Sequence, residues 1–376
     1  MRVVVAPDSF KGSLTAADAA EAISDGLASI RPEWRLDICP IADGGEGTLD
    51  VLLRSAGGVR RIVPCTGPTG EPMTAEIGLI EQGGTAVVEF ARAGGLSLVP
   101  PHLRDPLQTT SFGVGELIAA GLDCEVDRVI VTLGGSATVD GGCGLAQALG
   151  CVMLDERGRP LARPLVPSGI MRCRELQPAG MVERFTDVSV VTAVDVLNPL
   201  LGPHGAAAVF GPQKGADASG VQRLEAALDR WADRVESACG RRLRDEPGMG
   251  AAGGAALPLV AFADAAIVPG ADLVFSMTRV AERVASADLV ITGEGCLDGQ
   301  TLMGKGVGSL ARLAKSAGVP CVAIVGHLGR GYEGIASMFE RVATLARSDD
   351  APGEAEREAE SRVRQAAAEL AGEWAG

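Results

Sequence analysis

The sequence predicts an α/β protein of two domains, one doubly wound around a parallel sheet and the other a mixed α/β domain inserted into it. Three observations carry this. Short apolar runs alternate with helical periodicity near the N-terminus, the pattern that parallel βαβ units require. Near residue 65 the rhythm breaks into two strand-like runs joined by Gln82-Gly83-Gly84, a hairpin connection that suits antiparallel strands. Near residue 288 the α/β alternation returns. The expected division is residues 1–64 with 286–376 for the discontinuous domain, and 65–285 for the insertion. A cleft between two such domains is a favoured place for a ligand.

The elements follow in order. Residues 3–6, Val-Val-Val-Ala before Pro7, read as a buried strand. Ala16, Ala19, Ala20, Ile23, Leu27 and Ile30 recur at helical spacing, with Thr15 and Asp18 as a capping pair and Pro32 past the end. Residues 38–42 form the next expected strand. Leu49, Leu52, Leu53 and Ala56 then mark a helix stopped by Gly57-Gly58. Strands are expected at 73–80 and 85–90, a helix at 110–122, a strand at 128–133, a short helix at 144–149 and a buried strand at 188–194. Residues 219–239 are amphipathic, with Leu224, Leu228, Trp231 and Val235 on one face. A strand at 288–292 precedes a helix whose face is Val307, Leu310, Ala311 and Ala314, closed by Gly318. A strand at 320–325 follows, and 353–372 reads as a charged terminal helix presenting a solvated face.

Composition narrows the function. At 376 residues and 47% apolar content, the chain can bury cores for two or three domains. A net charge of −14 repels phosphate backbones and anionic lipid, and 3% aromatics leave few base-stacking platforms, so neither nucleic acid nor membrane is an expected partner. The apolar stretch 251–275 is broken by Pro258, Asp264, Pro269 and Asp272, and the run in MRVVVAPDSF is short for a secretory leader. Nine Cys with no C-x-x-C pair read as reduced thiols in a cytoplasmic protein without a zinc site. His102, His204 and His327 are scattered; His102 and His327 are expected at the surface or in structural places, and His204 near the site.

In open parallel sheets, ligands bind beyond the carboxyl ends of the strands. Five such ends carry a carboxylate, most of them with Gly: Pro7-Asp8-Ser9-Phe10-Lys11-Gly12-Ser13, Asp43-Gly44-Gly45-Glu46-Gly47-Thr48, residues 134–142 with Asp140, Asp195-Val196-Leu197-Asn198-Pro199, and residues 293–301 with Glu294 and Asp298. Gly lets backbone N–H groups approach an anion, while carboxylates at the same rim hold Mg²⁺ or accept a proton. Only four of the 34 basic residues are Lys, and Lys11, Lys214 and Lys305 each sit beside Gly. An ammonium is a compact point charge suited to phosphate or carboxylate. Gly299 to Lys305 fits G-x-x-x-x-G-K, but Gly306 stands where a P-loop needs Ser or Thr. No G-x-G-x-x-G opens a helix after a strand, and no G-x-S-x-G elbow exists. The residues thus point to Mg²⁺-dependent handling of a phosphorylated ligand and a small anion.

At these same residues the chain resembles the bacterial glycerate kinases that phosphorylate D-glycerate with ATP. The resemblance runs through Ala6-Pro-Asp-Ser-Phe-Lys-Gly-Ser-Leu14, Ala42-Asp-Gly-Gly-Glu-Gly-Thr48, residues 104–111, Gly134-Gly-Ser-Ala-Thr138 with Asp140-Gly-Gly142, Asn198-Pro-Leu200, Phe210-Gly-Pro-Gln-Lys-Gly-Ala216, residues 250–254, and Ile291-Thr-Gly-Glu-Gly295 onward to Lys305. It implies a Rossmann-like domain built from both chain ends, with ATP, Mg²⁺ and D-glycerate as ligands and 2-phosphoglycerate favoured over 3-phosphoglycerate. On this basis the nucleotide falls to Gly134, Gly135, Ser136, Ala137, Asp140, Gln213 and Lys305. Substrate binding falls to Ser9, Asp43, Glu46, Asn198, Lys214, Glu294 and Asp298. Lys11 is expected to act on the glycerate carboxylate or the transferring phosphoryl, and Asp195 and Asp298 to ligate the metal. Asp195, which ends a buried strand at the rim, is the expected base, with Asp8 as the alternative. Three positions depart from the family pattern: Cys296 where Arg is usual, Leu197 where Thr is frequent and Val139 where Asn is frequent. A kinase for another small hydroxy or sugar acid and a non-catalytic anion-binding descendant remain open, as does homo-oligomerisation.

Overall fold

The computed structural model describes residues 1–299, 301, 306–347, 350 and 353–374. Lys305 lies outside them. In chain order the strands are β1 (Arg2–Val5), β2 (Arg35–Ile38), β3 (Val59–Thr66), β4 (Pro72–Ile80), β5 (Thr85–Glu89), β6 (Arg128–Thr132), β7 (Val152–Leu154), β8 (Glu175–Gln177), β9 (Ser189–Val194), β10 (Ala266–Pro269), β11 (Leu289–Leu297), β12 (Cys321–Leu328) and β13 (Arg341–Thr344). Met1–Asp43, Asp50–Ser55 and Ala271–Gly376 make one compact unit; Gly44–Leu49 and Ala56–Gly270 make the other.

The first unit holds a parallel sheet in the order β13-β12-β11-β1-β2. Val3 and Val5 bury against Ala19, Ile23 and Leu27, while Val4 buries with Ile41, Val307 and Leu310. Both faces are therefore covered, as an all-parallel sheet demands. The helix Ala16–Ile30 starts at Thr15, whose Oγ1 accepts from Asp18 N at 3.1 Å and donates to Asp18 Oδ2 at 2.7 Å.

Several elements differ from expectation. β2 ends at Ile38 instead of running through 38–42: Cys39 N and Ile41 N still donate to Val5 O and Pro7 O at 2.8 and 2.9 Å, but Pro7 on β1 has no N–H to return a bond. β11 continues past 292 to Leu297, held by β12 in a register that pairs Glu294 with Val325 and Cys296 with His327. The terminal helix Ala359–Glu373 is more than a solvated face: Val363, Ala367, Leu370 and Ala371 are buried in the core that contains Ile23 and Leu27. Gly26 makes this packing close, since a Cβ there would lie 2.2 Å from the Arg364 carbonyl oxygen.

The second unit holds a six-stranded sheet in the order β10-β9-β6-β5-β4-β3, parallel from β10 to β5 and antiparallel beyond. The β4–β5 hairpin lies where the sequence places it. Edge strand β3 has no sequence signature, because residues 59–62 are all exposed and show no alternation. The helix Ala218–Cys239 is capped by Asp217, which accepts from Gly220 N at 2.6 Å, and it buries Leu224, Leu228, Trp231 and Val235. Each such large apolar side chain contributes roughly 1.5–3 kcal/mol by leaving water. Among the described residues no helix is long and apolar enough to cross a membrane.

Candidate active site

In the first unit, the carboxyl ends of β1 and β11 bring several of the singled-out residues to one cavity of about 490 Å³. Asp8, Ser9, Lys11, Asp43, Glu294 and Asp298 all line it. Asp8 N donates to Gly293 O at 2.8 Å, which ties the β1 end to β11. Partial burial pushes the Asp8 carboxyl well above its ordinary value, and the negative charges of Asp43 and Glu294 push it further. The Ser9 N–H, 2.6 Å from Asp8 Oδ1, and the Lys11 ammonium oppose that rise. Glu294 Oε1 accepts from Thr301 Oγ1 at 2.8 Å, so its carboxylate is oriented. Gly306, the residue that breaks the P-loop pattern, opens the helix Gly306–Ala317, and a Cβ there would lie 3.1 Å from Asp8 Oδ2.

His327 and Arg347 are also among the residues that line this cavity. His327 enters it because β12 holds it beside Cys296, and Arg347 follows β13. The sequence expectation puts His327 in a surface or structural place and says nothing of Arg347. The signal for His327 was the register opposite Cys296, which becomes visible only once β11 is known to extend to Leu297.

In the second unit, the loop after β6 is held from several sides. Lys214 is 3% exposed, and its Nζ donates to Ser136 Oγ and to Thr138 O, both at 2.7 Å. Desolvation lowers its pKa to about 7 against the opposing pull of Asp140. Asp140 is fully buried and accepts from Ser111 N, Ser111 Oγ, Gly142 N and Gly144 N. Burial raises its pKa, and those four bonds resist the rise. Trp231 Nε1 donates to Gly141 O at 2.7 Å. Ala137 N donates to Gly94 O at 2.8 Å, and Gly135 O accepts from Leu96 N at 2.7 Å. The tip is left half-buried at Gly134 and exposed at Gly135. Gly135 has φ +67°, a left-handed conformation that favours Gly, and a Cβ on it would meet Glu46 Oε1 at 2.8 Å.

The structure thus brings Glu46 to the loop tip and buries Lys214 and Asp140 beneath it. Asp195 follows β9 and is exposed; Gln213 is exposed beside Lys214. Asn198 Nδ2 donates to His204 O at 2.7 Å and braces the turn between them. Asp195 and Asp298, the expected metal ligands, belong to different units. Among the described residues no group of three or more His, Cys, Asp or Glu side chains is arranged to hold a metal. The crowded carboxylates of the first unit nonetheless suit Mg²⁺ chemically. They are hard oxygen donors with excess negative charge, and Mg²⁺ normally needs only one or two carboxylates beside its phosphates and waters.

Glycine-rich turns and carboxylates at the ends of parallel strands suit a small-molecule phosphotransferase. The sequence model of the glycerate kinase family matches residues 3–375. The glycerate kinase of Halalkalibacterium halodurans is 42% identical, over 98% of this chain and 97% of that protein. The glycerate 2-kinase of Escherichia coli is 38% identical over 92% of each. The crystal structure of a candidate glycerate kinase 2 from Salmonella typhimurium LT2 superposes with a TM-score of 0.86 at 38% identity, covering 99% of this chain and 97% of that one. The chain belongs to the glycerate kinase family.

Proposed function

We propose that the protein transfers the γ-phosphoryl group of ATP to D-glycerate, giving 2-phosphoglycerate and ADP. The observation that carries this is the cavity of the first unit, where Asp8, with its raised pKa, stands near Lys11 among further carboxylates. Lys11 and Ser9 position glycerate. A carboxyl pushed upward accepts a hydroxyl proton better than an ordinary one, which supports Asp8 as the base ahead of the exposed Asp195. The tip at Gly134 and Gly135 offers backbone to the nucleotide phosphates. Glu294 and Asp298 would hold Mg²⁺, which when bound neutralises charge on the transferring phosphoryl. The 2-position is supported by the name of the Escherichia coli relative. The nine cysteines, none in a disulfide, suit a cytoplasmic location.

The test is ADP release with ATP, Mg²⁺ and a panel of hydroxy and sugar acids, with the product's phosphate position read by NMR. The expected result is turnover greatest with D-glycerate and phosphate on C2. Turnover that favours a sugar acid, or none with any acid, refutes the assignment. Asp8→Asn and Asp195→Asn assayed side by side identify the base, since its loss lowers kcat by about 10²-fold or more.

A further inference from the structure

Lys214, expected from the sequence to bind substrate, is given no part in the phosphoryl transfer proposed above, yet it is the most unusual group in the second unit. It ends the short turn Pro212–Lys214, where Lys214 N donates to Gly211 O and Gly215 N to Pro212 O, both at 3.0 Å. From this rigid origin the side chain runs inward, and its ammonium meets two atoms of a single distant loop. With 3% exposure and both bonds directed at that loop, it cannot reach a ligand at the surface without giving them up. Burying an ammonium costs several kcal/mol unless its hydrogen bonds offset it. An apolar side chain would fill the same space without that cost, so packing alone does not explain a Lys here. The ammonium supplies two fixed donors, one to a side chain and one to a carbonyl, on either side of Ala137.

We propose that Lys214 is a positioning residue that fixes residues 134–138 in the conformation that receives nucleotide phosphate. This rests on the assignment of the Gly134–Gly135 tip to ATP. The pre-organisation is divided. Asp140 holds the far end of the loop through the N–H groups of Gly142 and Gly144 and through Ser111, and Lys214 holds the near end through Ser136 and Thr138. A loop fixed before the ligand arrives spends less binding energy on its own ordering. Loss of Lys214 should therefore weaken ATP binding while glycerate, assigned to the other unit, keeps its KM. Ser136 acts through Lys214, so the two residues should not lose affinity independently.

The experiment is a double-mutant cycle of Lys214→Met and Ser136→Ala in the full chain, with the Kd for ATP·Mg²⁺ read by calorimetry and KM for both substrates by ADP release. Gly135→Val serves as a probe of the tip itself. Lys214→Met is expected to weaken ATP by about tenfold or more, the size of a lost hydrogen bond from a charged group. KM for D-glycerate should stay within about twofold, and Ser136→Ala should add little to Lys214→Met, as coupled neighbours do. If Lys214→Met does not fold, Ser136→Ala alone must weaken ATP and spare glycerate. Unchanged ATP affinity in both variants, with Gly135→Val impaired, overturns the role of Lys214 and leaves the nucleotide assignment standing. Unchanged affinity in all three overturns both. Fully additive losses also overturn the proposal, because they mean that Ser136 touches the nucleotide independently of Lys214.

Discussion

Replacing Lys214 by Met should change how stability depends on pH, and the size of the change follows from its burial. A lysine in an unfolded chain titrates near 10.5; here desolvation brings it to about 7. Between those values the unfolded state binds the proton and the folded state does not. Stability therefore rises with pH across that window, and below about 7 the folded protein carries the whole cost of the buried charge. The gap between 10.5 and about 7, at about 1.4 kcal/mol per pH unit, sets a ceiling of about 5 kcal/mol. Met does not titrate, so subtracting the variant's unfolding free energy from the wild type's isolates this proton. The assay is urea denaturation from about pH 6.5 to 10, read by Trp231 fluorescence with Trp34 and Trp374 replaced by Phe. Trp231 is a suitable reporter because it is fully buried in the second unit and bonded to Gly141 O. The difference should climb with pH by up to about 1.4 kcal/mol per unit. Parallel curves for the two proteins refute the reasoning and mean that Lys214 keeps an ordinary pKa.

Asp8→Asn should lose activity and gain stability at neutral pH. Its folded pKa is raised, so stability falls as pH climbs from the unfolded value of 3.8 towards the folded one, and a neutral amide escapes that loss; thermal melts in which the variant is the less stable above that window contradict this. Lys11→Met should raise KM for glycerate if Lys11 holds the carboxylate, or lower kcat if it faces the transferring phosphoryl; wild-type kinetics in a folded variant exclude both roles. Gly26→Ala gains about 1 kcal/mol of helix propensity but forces a Cβ to 2.2 Å from the Arg364 carbonyl, an overpacking cost of about 1–3 kcal/mol, so the net effect is destabilising. Gly372→Ala, with no atom within 4 Å of the new Cβ, should be neutral or stabilising, and a melting temperature that rises equally in both variants removes the close-approach argument.

Elements with a strong local signal were readable in the sequence. The Thr15–Asp18 cap, the β4–β5 hairpin and the buried face of Ala218–Cys239 each rest on residues within one or two turns of each other. The elements that differ depend on neighbours the sequence does not reveal. β3 exists because β4 pairs with it over its full length, and β11 extends because β12 runs alongside. The terminal helix hides its apolar stripe among Glu and Arg, and its partner is a glycine more than 330 residues earlier. In the candidate site, Asp8, Lys11, Asp43, Glu294 and Asp298 could be grouped because strand ends in a parallel sheet share one rim. The depth of Lys214 could not be read, since a Lys beside Gly looks alike whether it faces a ligand or lies beneath a loop.

The pairing of Val3 with Leu289 has a consequence for the nascent chain. β1 is made 286 residues before one of its two neighbours in the sheet. At 5–20 residues per second, the Val-Val-Val strand waits roughly 15–60 s for that partner. In the interval the residues of the second unit, which end at Gly270, are completed and free to fold. β2 and the helix Ala16–Ile30 are available early, but until β11 emerges the other edge of β1 has no partner, and an unpaired edge is open to chaperone capture or aggregation. Slowed elongation between residues 270 and 297 should lengthen that exposure without touching a single contact of the finished protein.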